Sequence, residues 1–232
     1  MEPTIVCVKW GTKYEPEYVR NLHAMVHRSM RGNYRFTCLT DSPEGLDCDT
    51  IALPGNLEGW WNKVYLFKPG LFEGRVLFLD LDVVVTGLLT PFFQGGIIND
   101  WNLPGYNSSV MSWTAGEHSD IWEKFTEDVP KRLRGDQDWI TELGGWETFP
   151  EGMCVSYRKH AVECVPQGAI VVCMHGRPKP DEITEGWVPQ FWKENGLAQP
   201  TFESTQNEAV RTGTRSFASA GRSMNARKSS SL

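Results

Sequence analysis

The sequence predicts an α/β domain with an open, mixed but mostly parallel sheet flanked by helices. Two patterns and the composition carry that expectation. Short apolar runs of strand length alternate with helical periodicity through the first 85 residues, which is how strand–helix–strand units read. Residues 76–85 form a run in which only Asp80 and Asp82 are polar and four of the ten are Val. Such a run describes a strand buried on both faces, as in the middle of a parallel sheet. With 232 residues, 40% of them hydrophobic, and 10 Trp and 11 Phe, the chain can bury one sizeable core.

The elements follow in order. Residues 4–8 read as a short strand, followed by a loop over 9–13. Residues 17–30 carry Val19, Leu22, Val26 and Met30 at helical spacing, with Gly32 just past the end. Residues 35–39 and 50–53 read as strands, 59–67 as the opening of a helix, and 76–85 as the long apolar strand. In the second half, 108–113 reads as a strand, 120–133 as a helix, and 154–157 and 170–174 as strands. From about residue 201 the pattern dissolves into Ser, Thr, Gly, Ala and Asn with spaced Arg, giving +3 on a body of −9. Residues 1–200 are therefore expected to be one domain and 201–232 a disordered, flexible basic tail.

The overall charge of −6 argues against a surface that coats nucleic acid. No apolar run approaches the ~20 residues of a membrane helix. The chain enters a strand at once, so no secretory signal is visible. The six cysteines are spread out with no Cys-x-x-Cys pair and read as reduced, mostly buried residues of a cytoplasmic protein.

Chemistry concentrates in three places. Carboxylates inside an apolar strand are costly unless paired, hydrogen-bonded or bound to a cation. Asp80 and Asp82, two apart, project from one face of an extended chain, and a divalent metal at the strand's carboxyl end would remove the cost. Ligands of open α/β sheets sit at those ends, where Lys9, Trp10 and Asp82 would lie. The alternatives are turn or capping residues, or the nucleophile strand of a haloacid-dehalogenase-type phosphatase, which usually lies nearer the amino terminus. Second, Asp136-Gln137-Asp138 reads either as helix capping by Asp136 or as a polar wall holding sugar hydroxyls. Third, His175 follows a strand and precedes Gly176; it reads either as structural or as a neutral imidazole ligand. Lys179, held between Pro178 and Pro180, is a stiffly presented cation suited to phosphate. Lys63 belongs to a helix start, or reaches the acidic cluster or a nucleotide phosphate.

In this order the motifs resemble the GT-A nucleotide-sugar glycosyltransferases, most closely family 8, the galactosyltransferase and glycogenin-like enzymes. The likeness rests on Phe78-Leu79-Asp80-Leu81-Asp82-Val83-Val84-Val85, on Asp136-Gln137-Asp138, on His175, Gly176, Lys179 and Pro180, and on Asn62 and Lys63 before the Asp-x-Asp strand. It spans residues 4–195. It implies a nucleotide-diphosphate sugar donor, with a UDP-sugar favoured, and Mn²⁺ or Mg²⁺ held by Asp80, Asp82 and His175. It further implies Val8, Lys9, Trp10 and Tyr14 beside base and ribose, Asp80 near the ribose, and Lys63 and Lys179 on the diphosphate. Asp136 would hold donor-sugar hydroxyls and Gln137 would lie close to the anomeric carbon, with configuration retained. The acceptor stays open among glycan, protein, lipid-linked glycan and modified nucleic acid. The competing classes are a phosphatase or nucleotidyltransferase and a non-catalytic sugar-binding module.

Overall fold

The structure, a computed structural model, describes residues 1–193. Strands β1 (Thr4–Lys9), β2 (Arg35–Thr40), β3 (Asp49–Ala52) and β4 (Arg75–Leu79) run parallel in the order β3-β2-β1-β4. The chain then leaves this sheet as β5 (Val83–Val85). It returns as β6 (Gly96–Asn99) and β7 (Tyr106–Thr114), which extend the sheet antiparallel beyond β4. β8 (Cys154–Ser156) and β9 (Val171–Cys173) join β5 in a second, three-stranded sheet ordered β5-β9-β8.

Alternation within each strand divides the core into two layers. Ile5 and Cys7 of β1, with Leu77 and Leu79 of β4, face helix α1 (Pro16–Ser29) through its Val19, Leu22, Met25 and Val26. Val6, Val8, Val76 and Phe78 face the opposite layer. There Val64 and Phe67 come from a 3-10 helix, Gly59–Phe67. Helix α1 has Pro16 in its first turn, Glu17 at its positive end and His27 and Arg28 at its negative end, each matched to the helix dipole and to the free N–H groups there.

The expected single strand over 76–85 is two strands in two sheets. β4 ends at Leu79; the Asp80 N–H still donates to the Ser109 carbonyl at 2.9 Å, and the chain then turns, with the Val83 N–H 3.4 Å from the Asp80 carbonyl. β5 pairs antiparallel with β9. Both halves are buried almost completely, so an unbroken apolar run gives no sign of the switch. β4 also lies between a parallel and an antiparallel neighbour. The two carboxylates therefore stand at the joint between the sheets, not along one strand face.

The expected helix over 120–133 is two short pieces, α2 (Asp120–Glu123) and α3 (Val129–Arg132), with Pro130 opening the second. Helix α4 (Asp136–Leu143) follows, and α5 (Val188–Trp192) packs Trp192 on the α1 layer. β6 was not anticipated, because Gly95-Gly96 before it and Asn99-Asp100 after it read as turns. All six cysteines are free thiols. Among the described residues no helix is long and apolar enough to cross a membrane. The expected boundary near residue 200 and the tail over 201–232 lie outside the described residues.

Candidate active site

The carboxyl ends of β1 and β4, the β6–β7 connection and the start of α4 enclose a cavity of about 480 Å³. Val8, Trp10, Tyr14, Lys63, Asp80, Asp82, Asp136, Gln137 and His175 all line it. Its size is that of a small-molecule site.

Lys63 organises one wall. The 3-10 helix carries it under the end of β4, where its ammonium sits 2.8 Å from Asp80 Oδ1 and 3.6 Å from Asp136 Oδ2. It also donates to Ser108 Oγ at 3.3 Å, and the Ser108 hydroxyl donates to Asp136 Oδ2 at 2.6 Å. Burial opposes the Lys63 charge, but Asp136 and Asp80 outweigh it and hold the ammonium above the ordinary lysine range. Burial pushes Asp80 up to about 6; Lys63 opposes the shift and Asp82 adds to it.

The β5–β9 pairing builds the second wall. Val83 lies opposite Cys173, so one step further brings Asp82 beside Met174, next to His175. The Lys179 ammonium is held against the Asp82 carboxylate and donates to the Met174 carbonyl at 3.1 Å. The Tyr14 hydroxyl donates to Asp82 Oδ2 at 2.8 Å, and burial together with Asp82 pushes its phenol up. His175 has its Nε2 2.6 Å from Ser156 Oγ and its ring stacked 5.9 Å from Trp101. Burial, then Arg158, lowers its pKa, which favours the neutral imidazole.

Helix α4 forms the third wall. Gly135 stands at its N-cap and Asp136 is its first residue; the Asp136 carboxylate turns inward to Ser108 and Lys63, and only 5% of the residue is exposed. Gln137 Nε2 donates to Asp100 Oδ2 at 3.1 Å, which leaves the amide oxygen as the group Gln137 can offer to the cavity. Asp138 pairs with the Arg134 guanidinium through two contacts of 2.9 and 3.0 Å.

Two residues assigned from the sequence do not line the cavity. Lys9 is 4% exposed and its ammonium is turned onto the Gly11 carbonyl at 3.3 Å. Lys179 lies behind Asp82, its charge directed at that carboxylate. Conversely, Asp100, Ser108 and Arg134 line the cavity without having been singled out. Asp100 sits in Asn99-Asp100-Trp101-Asn102, which reads as a polar turn. It does make one, accepting from the Asn102 and Leu103 N–H groups at 2.6 and 2.9 Å.

The donor chemistry of the carboxylate pair fits a hard divalent cation. Contacts occupy Oδ1 of Asp80 and Oδ2 of Asp82; the other oxygen of each has no partner among the described residues. His175 shares the cavity, but no group of three His, Cys, Asp or Glu among the described residues stands close enough to hold an ion together.

No family model and no curated protein matches the sequence. Solved structures do. The chain is similar to the glycosyltransferase GlyE of Streptococcus pneumoniae TIGR4 (TM-score 0.63, 14% identity, covering 95% of this chain and 67% of GlyE). It is also similar to the galactosyltransferase LgtC, solved with donor and acceptor sugar analogues (TM-score 0.57, 15% identity, 76% and 88% covered). A third likeness is to a glycosyltransferase involved in glycosylation of the major capsid of PBCV-1 (TM-score 0.54, 17% identity, 78% and 97% covered). The chain thus spans about two thirds of the length of GlyE. Its fold is the GT-A glycosyltransferase fold.

Proposed function

We propose that the chain is a metal-dependent glycosyltransferase that moves a sugar from a nucleotide-diphosphate donor, a UDP-sugar, to a hydroxyl acceptor with retention of configuration. The observation that carries this reading is one cavity, at the strand ends of a GT-A fold, that holds Asp80, Asp82, Lys63, Asp136 and Gln137 together. LgtC, of the same fold, was solved with donor and acceptor sugar analogues.

Transfer requires stabilising the negative charge that develops on the departing diphosphate. Lys13, Lys63 and Arg134 are the cations on the cavity wall suited to that load, and Lys63 is already oriented by two carboxylates. Asp80 and Asp82 are the residues that would hold Mn²⁺ or Mg²⁺, with His175, which lines the same cavity, as the third donor the sequence nominates. A bound divalent ion supplies Lewis-acid stabilisation of the diphosphate. Tyr14 and Lys179 fix the Asp82 carboxylate in place. Val8, Trp10 and Tyr14 give the base and ribose an apolar and aromatic seat. Asp136, beside Lys63, accepts from donor-sugar hydroxyls, and the Gln137 amide oxygen, held outward by Asp100, faces the anomeric carbon. The free cysteines are consistent with a cytoplasmic setting.

Incubation with a panel of nucleotide sugars and Mn²⁺ tests the reading. Release of the nucleoside diphosphate is expected. Inorganic phosphate from simple esters would point to a phosphatase, and release of neither product to a binding module.

A further inference from the structure

A second cavity of about 610 Å³ opens on the far side of Trp10 and Trp60, the two residues it shares with the first. Trp60 is 51% exposed, an unusual state for so large an apolar surface, yet its ring is fixed. Its indole N–H donates to the Arg134 carbonyl at 3.0 Å. The ring lies so close over Gly135 that a Cβ there would come within 2.9 Å of Trp60 Nε1. The backbone beside Trp10 is tethered by the Gly11 N–H, which donates to both oxygens of Asp41 at 2.9 and 3.2 Å. A half-exposed ring held in one orientation is a preformed stacking platform, whose ordering cost is met before any ligand arrives.

The charge distribution says what can occupy it. Among the described residues this lining holds no lysine, arginine or histidine and instead carries the carboxylates of Asp41 and Glu58 beside Leu53 and Leu57. Glu58 has no ion-pair partner among the described residues. Carboxylates repel phosphate, sulfate and other acids but accept hydrogen bonds from hydroxyls. The cations a nucleotide needs, Lys13, Lys63 and Arg134, line only the first cavity. Aromatic faces, apolar patches and carboxylates without positive charge beside them suit a neutral polyhydroxylated ring.

We infer that the second cavity is the subsite for a neutral glycan acceptor, its terminal ring stacked on Trp60 and its hydroxyls donated to Glu58 and Asp41. This deepens the transferase reading, since the shared tryptophans lead from this cavity to the first, where the donor sugar would sit. It narrows the acceptor to an uncharged saccharide.

The test applies labelled full-length protein to an array of neutral, sialylated and sulfated glycans, alongside UDP release from a UDP-sugar without acceptor. Wild type is expected to retain neutral glycans and to exclude the acidic ones. Leu57→Arg, which puts bulk and positive charge into the second cavity alone, is expected to cut that retention at least about tenfold while UDP release stays within about twofold. Glu58→Gln, an exposed change that spares folding, is expected to weaken retention in the same direction. It decides the matter if Leu57→Arg does not fold. Absence of neutral-glycan retention by wild type, or retention unchanged in the folded variants, would overturn the proposal. So would a loss of UDP affinity in Leu57→Arg, which would place the nucleobase there instead. Wild type that retains neutral glycans but releases no UDP would leave this subsite standing and remove the transferase reading.

Discussion

Removing the ammonium of Lys63 would leave Asp80 and Asp136 facing each other across a wall that is largely closed to water, with side chains 22% and 6% exposed. Lys63→Met is therefore expected to cost about 3 kcal/mol of stability, the scale of an uncompensated buried charge. That corresponds to a melting temperature lower by roughly 6–12 °C for a chain of this size. An unchanged melting curve would show that Lys63 serves only the ligand. Asp136→Asn tests the opposite emphasis: the amide keeps the shape and can still accept from Ser108, so stability should fall only slightly. Loss of the charge is expected to reduce donor turnover at least about 100-fold, or about 2.7 kcal/mol. If turnover survives, Asp136 is structural and the sugar-holding role falls. The residues themselves drew attention to part of this cavity lining. Asp80 and Asp82 stood out because carboxylates in an apolar strand need partners, Asp136 and Gln137 because Asp-Gln-Asp is a compact polar cluster, and His175 because it follows a strand and precedes a glycine. Ser108 and Asp100 did not, since a serine in a strand and an aspartate in a turn have adequate ordinary explanations. Lys9, expected beside base and ribose from its place at a strand end, bends back onto its own loop.

At the scale of elements, α4 is held to β7 by a contact that leaves no room. Tyr106 donates its N–H to Thr141 Oγ1 at 3.0 Å. At Gly105, with φ of +123°, a Cβ would come within 2.5 Å of Thr141 Cγ2. Threonine is stiff about χ1 and cannot yield cheaply. Gly105→Ala is expected to destabilise by at least about 2 kcal/mol and, by shifting α4, to lower donor turnover with it. Thermal melting and UDP release measured on the same sample check both, and a variant as stable as wild type would contradict the packing described. The amino-terminal half was legible at this scale because period-2 and period-3.6 patterns there are clean. The division of residues 76–85 between two sheets was not, because burial on all sides looks the same in either sheet. Nor was the break between α2 and α3, where apolar spacing continues through Phe125 and Val129 and only Pro130 marks a new start.

For the whole molecule, every described residue lining either cavity precedes residue 176. Deletion of residues 201–232 is therefore expected to leave donor turnover within about twofold and the melting temperature nearly unchanged; loss of either would assign those residues to the catalytic domain. The fold class could be read from the sequence because strand–helix–strand order, a buried Asp-x-Asp and the later Asp-Gln-Asp and His-Gly elements are mutually consistent. The second cavity could not, since it depends on where Trp10 and Trp60, more than forty residues apart in the chain, come to rest. The central claim is that the carboxylates at the joint of the two sheets act on a nucleotide-sugar donor through a divalent ion. The most direct measurement is UDP release from a UDP-sugar by wild type and Asp82→Asn, each with Mn²⁺ and with excess EDTA. Release by wild type in Mn²⁺, lost in EDTA and reduced at least about 100-fold by Asp82→Asn, is the expected result. Full release in EDTA, or by Asp82→Asn, would contradict it.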